Sequence, residues 1–474
     1  MREDRVAGLR RFGNWISAGR EQAAPLVREL LEHDPTEWDS WLTGRPEARS
    51  VQLFEGLLQV AEGDDPRSLP LTEFVLRHVD SVTVPSEADL ALLFVRGHAR
   101  RVRGLALLKA NDPHAALQAY DEAAAIFRTE PVAHAELKRV LQELSRQVVA
   151  RIDSVPLESL AIAGRAVAIA DSLAGEGREQ APAEAIAELR ARAWKDLGVV
   201  YRCLARFSDS LAAIDRADAI VQPFGRLKHQ SAILQLARAG TLDEAGRHDA
   251  AMPLVHAART AFRQLGDTRR LLLCGILEGA ILQHSGRHRD AVVLYESLLE
   301  NARERNDPDL DATLHNNAGH ALVELGEFAA AGEHLGQAAA LFDRLGRPLK
   351  IAGTQLARGR MLVRRGNIEE GLAQLHTARD QFLSRNLVEE AGLCGLDIVE
   401  AHLSRGAAIE AEAFARQIVR EFTAAHLNAR AITALQYLSE AVAARNASAA
   451  TVENVREFIH SLRRRPDAEF KVPA

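Results

Sequence analysis

The chain has 474 residues, a formal net charge of −6 and 26% charged residues, a balance that argues against a dedicated nucleic-acid binder. Aromatics make up only 5%, Ala, Leu, Arg and Glu dominate, and no run alternates as a strand would, so an all-α protein is expected. Cys203, Cys274 and Cys394 are odd in number, widely spaced and without a CxxC, which excludes a disulfide framework or a cysteine-rich zinc site.

In chain order, "MREDRVAGLRRFGNWIS" at the start is charged and lacks the apolar core of a signal peptide. No stretch of about 20 apolar residues occurs anywhere, so no membrane span is expected and a cytoplasmic location follows. Residues 1–45 do not repeat; "REQAAPLVRELLEHD" is an amphipathic helix and "PTEWDSWL" starts another, together a helical cap or small docked module. A weak helical pair runs through "SVQLFEGLLQVAEGDDPRSLPLTEFVLRHV", and a clear one through "RVRGLALLKANDPHAALQAYDEAAAIF". A poorer unit follows, with Ser159, Ala163 and Ala166, and then "AGEGREQAPAEA", a loop insertion or joint near 174–185.

From there the chain matches itself. Small residues recur at Ser210, Ala251, Ala291, Ala331, Gly371 and Ala411, at spacings of 41, 40, 40, 40 and 40. Chance does not hold register through six units. Each unit carries two apolar stripes at helical spacing joined by a short polar turn, a helix–turn–helix hairpin. In the first of them Trp194, Leu197, Gly198 and Tyr201 form one stripe, and Ser210, Ile214 and Ala217 the other. Gly198, Gly279, Gly319 and Gly359 share one place in the first helix. Mid-helix glycine costs about 1 kcal/mol against alanine, so its recurrence predicts a close helix crossing. The solenoid is expected over 46–427, a capping hairpin over 428–465 and a frayed tail over 466–474, with Arg463, Arg464 and Arg465 at a solvated helix end.

Trp194, Leu197, Gly198, Tyr201 and Ala217 match the pattern W-x2-L-G-x2-Y…A-x3-F, with Ser210 and Ile214 as variants, and so resemble the tetratricopeptide repeat. The period near 40 is similar to the long repeats of kinesin light chains, bacterial peptide-sensing regulators and CHAT-protease-associated proteins. The resemblance implies a right-handed superhelical solenoid of about eight to ten hairpins. It also implies a non-catalytic scaffold binding a protein or peptide on its concave face. Alternatives are a peptide- or ligand-responsive sensor, or a regulatory subunit whose catalytic chain is separate. A homo-oligomer is compatible with imperfect end caps.

The repeat template places Asn316 on the concave side, followed by His320 and Glu324. Equivalent or adjacent positions carry Arg192, Lys195, Arg202, Glu244, Gln283, His284, Arg360 and Arg364. Such side chains can hydrogen-bond an extended backbone or hold a carboxylate. Reversing Arg360 and Arg364 to glutamate is expected to abolish partner capture and leave the chain folded. The carboxylate clamp of chaperone-binding repeats is absent, because Val199 follows Lys195 by four and the next unit offers Leu236 and Gly240.

No HExxH, phosphate loop or GxSxG occurs, so neither catalysis nor a cofactor is expected. His248 and His288 open second helices where other units carry Phe207, Phe328 and Ile368, which reads as a packing position. His315 and His320 are five apart, about 140° around a helix, and do not chelate as i, i+4 histidines would. No metal ligand is expected.

Overall fold

The computed structural model describes residues 19–63, 65–84, 89–110, 112–128, 134–152, 156–174, 183–462 and 468–471. Most of the expected joint near 174–185, and Arg463 to Arg465, lie outside the described residues. Among those residues there are helices and turns and no strand. The chain divides into two compact units, 1–148 with 160–193 and 149–159 with 194–474.

The first unit begins with α1, helical over 19–31. It continues through α2 (Trp38–Thr43), α3 (Val51–Glu62), α4 (Ser68–His78), α5 (Asp89–Lys109) and α6 (Pro113–Arg128). Then come α7 (His134–Arg151) and α8 (Pro156–Asp171). Its centre is aromatic. Trp38 and Phe54 both meet the ring of Phe74 edge-on, at 5.7 and 6.3 Å between centroids, and all three are buried. Leu30, Trp41 and Leu42 of the first two helices join Leu53, Leu57 and Leu71 in that cluster, so α1 and α2 pack on the α3–α4 hairpin. Further along, Gly97 and Gly104 of α5 lie against the rings of Phe127 and Tyr120 of α6.

The second unit takes in the end of α9 (Ala183–Cys203), then α10 (Phe207–Val221), α11 (Lys228–Glu244), α12 (His248–Leu265), α13 (Thr268–His284) and α14 (His288–Glu304). It continues through α15 (Pro308–Glu324), α16 (Phe328–Arg344), α17 (Pro348–Arg365), α18 (Ile368–Leu383), α19 (Val388–Ser404), α20 (Ala408–Ala424), α21 (Ala429–Ala443) and α22 (Ala449–Leu462). From α3 to α22 the helices follow one another as ten successive pairs. The 40-residue period has a local cause. α13 and α14 have 17 residues each, and a three-residue turn follows each of them.

Those turns are chemically uniform. A residue of positive φ ends every helix from α9 to α21 except α10, in the series Ala205, Gly246, Gly266, Gly286, Asn306, Gly326, Gly346, Gly366, Asn386, Gly406, His426 and Arg445. The next residue's N–H then reaches back five positions, as Arg247 does to the Leu242 carbonyl (2.7 Å) and Glu327 to Leu322 (3.0 Å). This is a Schellman closure, which satisfies carbonyls left over at a helix end and needs the left-handed region that glycine and asparagine reach most cheaply. In "NDP", Asn306 ends α14, Asp307 accepts from the Leu310 N–H (3.3 Å) and Pro308 starts α15.

Between helices the small positions do what their recurrence implied. A Cβ on Gly319 would lie 2.6 Å from Leu335 Cγ, and one on Gly359 2.7 Å from Leu375 Cγ. The anchors Ser210, Ala251, Ala291, Ala331 and Ala411 are fully buried. From α11 to α19 the first helices approach one another across repeats more closely than the second helices do. That difference curves the second unit and puts its first helices on the inner side.

The C-terminus departs from a simple capping hairpin. Val452, Val455, Ile459 and Leu462 of α22 bury against residues of α19 and α21, including Leu393, Leu396 and Leu438. α22 therefore touches the inner helix α19 as well as its neighbour α21. The segment expected to fray is docked where it is described: Phe470 packs on Tyr437 and Phe458, 5.3 and 5.0 Å between ring centroids.

Candidate inner-face site of the second unit

The first helices of successive repeats set corresponding residues side by side about 40 positions apart. One inner row carries Glu244, His284, Glu324 and Arg364, and another, a turn earlier, carries His320, Arg360 and Glu400. Acidic groups alternate with an imidazole or a guanidinium along the first row, and the neighbours use each other. Arg364 Nη1 donates to Glu324 Oε2 (3.0 Å) and to the Val323 carbonyl (3.3 Å). Arg202 Nη1 donates to Glu244 Oε1 (2.8 Å). Thr354 Oγ1 donates to Asn316 Oδ1 (2.8 Å), and Asn316 Nδ2 donates to Asn317 (3.3 Å).

Arg360 Nε donates to Asp397 Oδ2 at 3.0 Å, and Asp397 is only 6% exposed. This corrects one expectation: reversing Arg360 would not be structurally silent, because it would remove one of the arginine partners of a buried carboxylate and set a second carboxylate beside it. His320 is half-buried beside Arg360; burial and that guanidinium push its pKa down to about 4, so it is a neutral hydrogen-bonding ring at pH 7.

The remaining candidates separate. Gln283 accepts from the Tyr295 hydroxyl (3.4 Å). Lys195 pairs with its neighbour Asp196, which is buried. Arg192 is exposed on α9, in the first unit. His315, next to Asn316, faces the other way: it is 3% exposed and its Nδ1 lies 2.9 Å from His334 Nδ1.

Residues of α22 add to the face without any repeat signal to announce them. Arg456 Nη2 donates to Asp397 Oδ1 and to Glu400 Oε2, both at 2.9 Å. Glu453 and Arg456 line a cavity of about 270 Å³ with Glu324, Arg360, Arg364, Asp397 and Glu400. His460 lines a second cavity, of about 370 Å³, with Asp243, Glu244, His248 and His284. Asp397 and Asp243 do carry a sequence signal, a charge where the equivalent positions of other repeats have none. Asp243 stands where later repeats have Gln283, Val323, Val363 and Leu403, and Asp397 where earlier ones have Ala357, Asn317 and Leu277.

No protein-family model matches the chain, and no curated protein matches it. Solved structures are similar in fold. A signal transduction ATPase with numerous domains, carrying a tetratricopeptide repeat sensor, from Pyrococcus horikoshii is 14% identical. The match covers 94% of this chain and 72% of that one, with a TM-score of 0.50. The Rap conjugation gene regulator of the plasmid pLS20, solved in complex with the Phr* peptide, is 11% identical over 87% of this chain and 96% of that one, with a TM-score of 0.51. Among the described residues no helix is long and apolar enough to cross a membrane. With the helix pairs, the 40-residue register and these likenesses together, the fold of this chain is that of a tetratricopeptide-repeat protein.

Proposed function

We propose that the inner face of the second unit binds an extended peptide or a segment of a partner protein, and that the protein acts by recognition and not by catalysis. The observation that carries this reading is the double row of polar side chains on the first helices, from Arg202 and Glu244 to Arg364 and Glu400. An extended backbone presents N–H and C=O groups at regular intervals, and Asn, neutral His and Arg side chains can pair with both. The plasmid-borne Rap regulator, similar in fold, is bound to a peptide in its solved structure.

A second reading, a ligand-responsive regulator, is favoured by Arg456. It places the protein's own guanidinium on Asp397 and Glu400. A ligand with a basic side chain would compete for the same carboxylates, and its binding would bias α22 between two positions.

Selection of a random peptide library on the full chain tests the proposal, with an Asn316→Ala, Arg364→Ala variant alongside. Selected peptides are expected to lose about tenfold or more in affinity for the variant, the loss of one to two hydrogen bonds to a charged or amide group. Equal affinity for both proteins would move the interface off this face, to the outer helices or the first 45 residues.

A further inference from the structure

We propose that Asp243, His248 and His284 form a binding site for a divalent transition-metal ion of the zinc class, with His460, which lines the same cavity outside that close group, as the candidate for the fourth position. The site goes beyond peptide recognition and does not depend on it.

Three features of the fold build it. Asp243 is next to last in α11 and His248 is first in α12, and the left-handed turn at Gly246 folds the chain so that residues five apart meet. His284 ends α13 one repeat later and comes alongside by the register of the solenoid. The result is a carboxylate 2% exposed whose two oxygens each face a different imidazole: Oδ1 lies 2.7 Å from His248 Nδ1, and Oδ2 lies 2.9 Å from His284 Nδ1. One donor atom from each of the three residues lies within 4.8 Å of the other two. Tetrahedral zinc with bonds near 2.0–2.1 Å needs donors about 3.4 Å apart, a spacing that small ring rotations supply here.

The donor types suit the ion. Two imidazole nitrogens and a carboxylate oxygen are the mixed set that zinc takes, whereas magnesium and calcium prefer oxygen alone. There is room for the ion, because the three residues and His460 line one cavity of about 370 Å³. His460 lies on α22, so an ion held by all four would join α11, α12, α13 and the C-terminal helix within the second unit. The repeat pattern does not signal the site, because the repeat equivalent of His248 is His288. The spatial partner of His248 is His284, 36 residues on.

The test uses the metal-free full chain, titrated with zinc by calorimetry and with cobalt(II) by visible absorption. Expected are saturation at a single ion per chain and the intense bands of four-coordinate cobalt. His284→Ala should weaken zinc binding by about tenfold or more, and His248→Ala with His284→Ala should abolish it. His284 is 48% exposed, so its variant tests the site without a folding defect, and a melt confirms this. His460→Ala should lower the affinity and change the cobalt spectrum; an unchanged spectrum would remove His460 from the site. No saturable binding by the wild type, or equal binding by the double variant, would overturn the proposal and leave a hydrogen-bonded Asp–His–His cluster only.

Discussion

The two units reach helical order by different means. In the first, Trp38, Phe54 and Phe74 form one irregular aromatic centre, and helix lengths vary from 6 residues in α2 to 21 in α5. Among its described residues none has positive φ. In the second, positive-φ residues return every 20 positions over most of the length, helices of 17 residues recur, and small core clusters link each hairpin to the first helix of the next. Bulk sets the geometry of the first unit and turn chemistry that of the second. Where the turn sets register, side chains one repeat apart must meet, and the second unit uses those meetings for its polar rows.

Removing a shared partner should show this most strongly. Asp397 serves both Arg360 and Arg456, and Asp397→Ala should cost about 3 kcal/mol, the lower end for breaking a buried pair. Hydrogen exchange should show the loss in the second unit and leave the amides of α3 and α4 unchanged. A uniform loss across both units would break the distinction. Gly319→Leu should cost about 1–3 kcal/mol by overpacking against Leu335, and an unchanged thermal melt would count against the close crossing.

Acid should separate the units by pH window. Burial and the neighbouring His334 depress the pKa of His315 to about 4, with Arg303 Nη2 at 3.1 Å also opposing protonation and Asp311 at 3.7 Å favouring it. A histidine with a lowered folded pKa takes up its proton more readily when unfolded. Its contribution is therefore present above pH 6.5 and lost between about 6.5 and 4, on the order of 3 kcal/mol in the second unit. In the first unit Glu62 is lowered to about 2 by hydrogen bonds from His98 (3.3 Å) and Arg101 (2.6 Å). A carboxylate with a lowered folded pKa stabilises above its unfolded value and loses that effect as pH falls from about 4.5 to 2. Fluorescence of Trp38 and Trp41, both buried in the first unit, should therefore change at lower pH than exchange in α15. Coincident transitions would show that the units unfold as one.

The smallest expected effect has the opposite sign. Ala205 holds φ at 55° where the next five first helices end in glycine. Ala205→Gly should stabilise by about 0.5–1 kcal/mol, relief of a left-handed alanine less the added backbone entropy. A destabilised variant would mean that the Ala205 methyl packs usefully.

The 40-residue register, the two stripes per unit and the glycines at the crossing were legible because helix periodicity and turn chemistry are local. Gly319 and Gly359 sit against the following helix for the reason their recurrence implied. Asn316, His320, Glu324, Arg360 and Arg364 share a face because position in the repeat fixes orientation about the helix axis. Lys195 could not be assigned this way, because the carboxylate that takes it up is its own neighbour Asp196.

The sequence by itself thus determined the helices, their period and the side each residue faces, since these depend on neighbours within one or two turns. Only the tertiary structure decided which charges pair across repeats. Arg360 meets Asp397 and His284 meets Asp243 across one repeat, 37 and 41 residues apart in the chain, so the packing of one hairpin on the next brings them together and no spacing within a helix does. The course of α22 onto α19 was decided the same way: its stripe of Val452, Val455, Ile459 and Leu462 asks only for apolar cover, and a folded inner face supplied it.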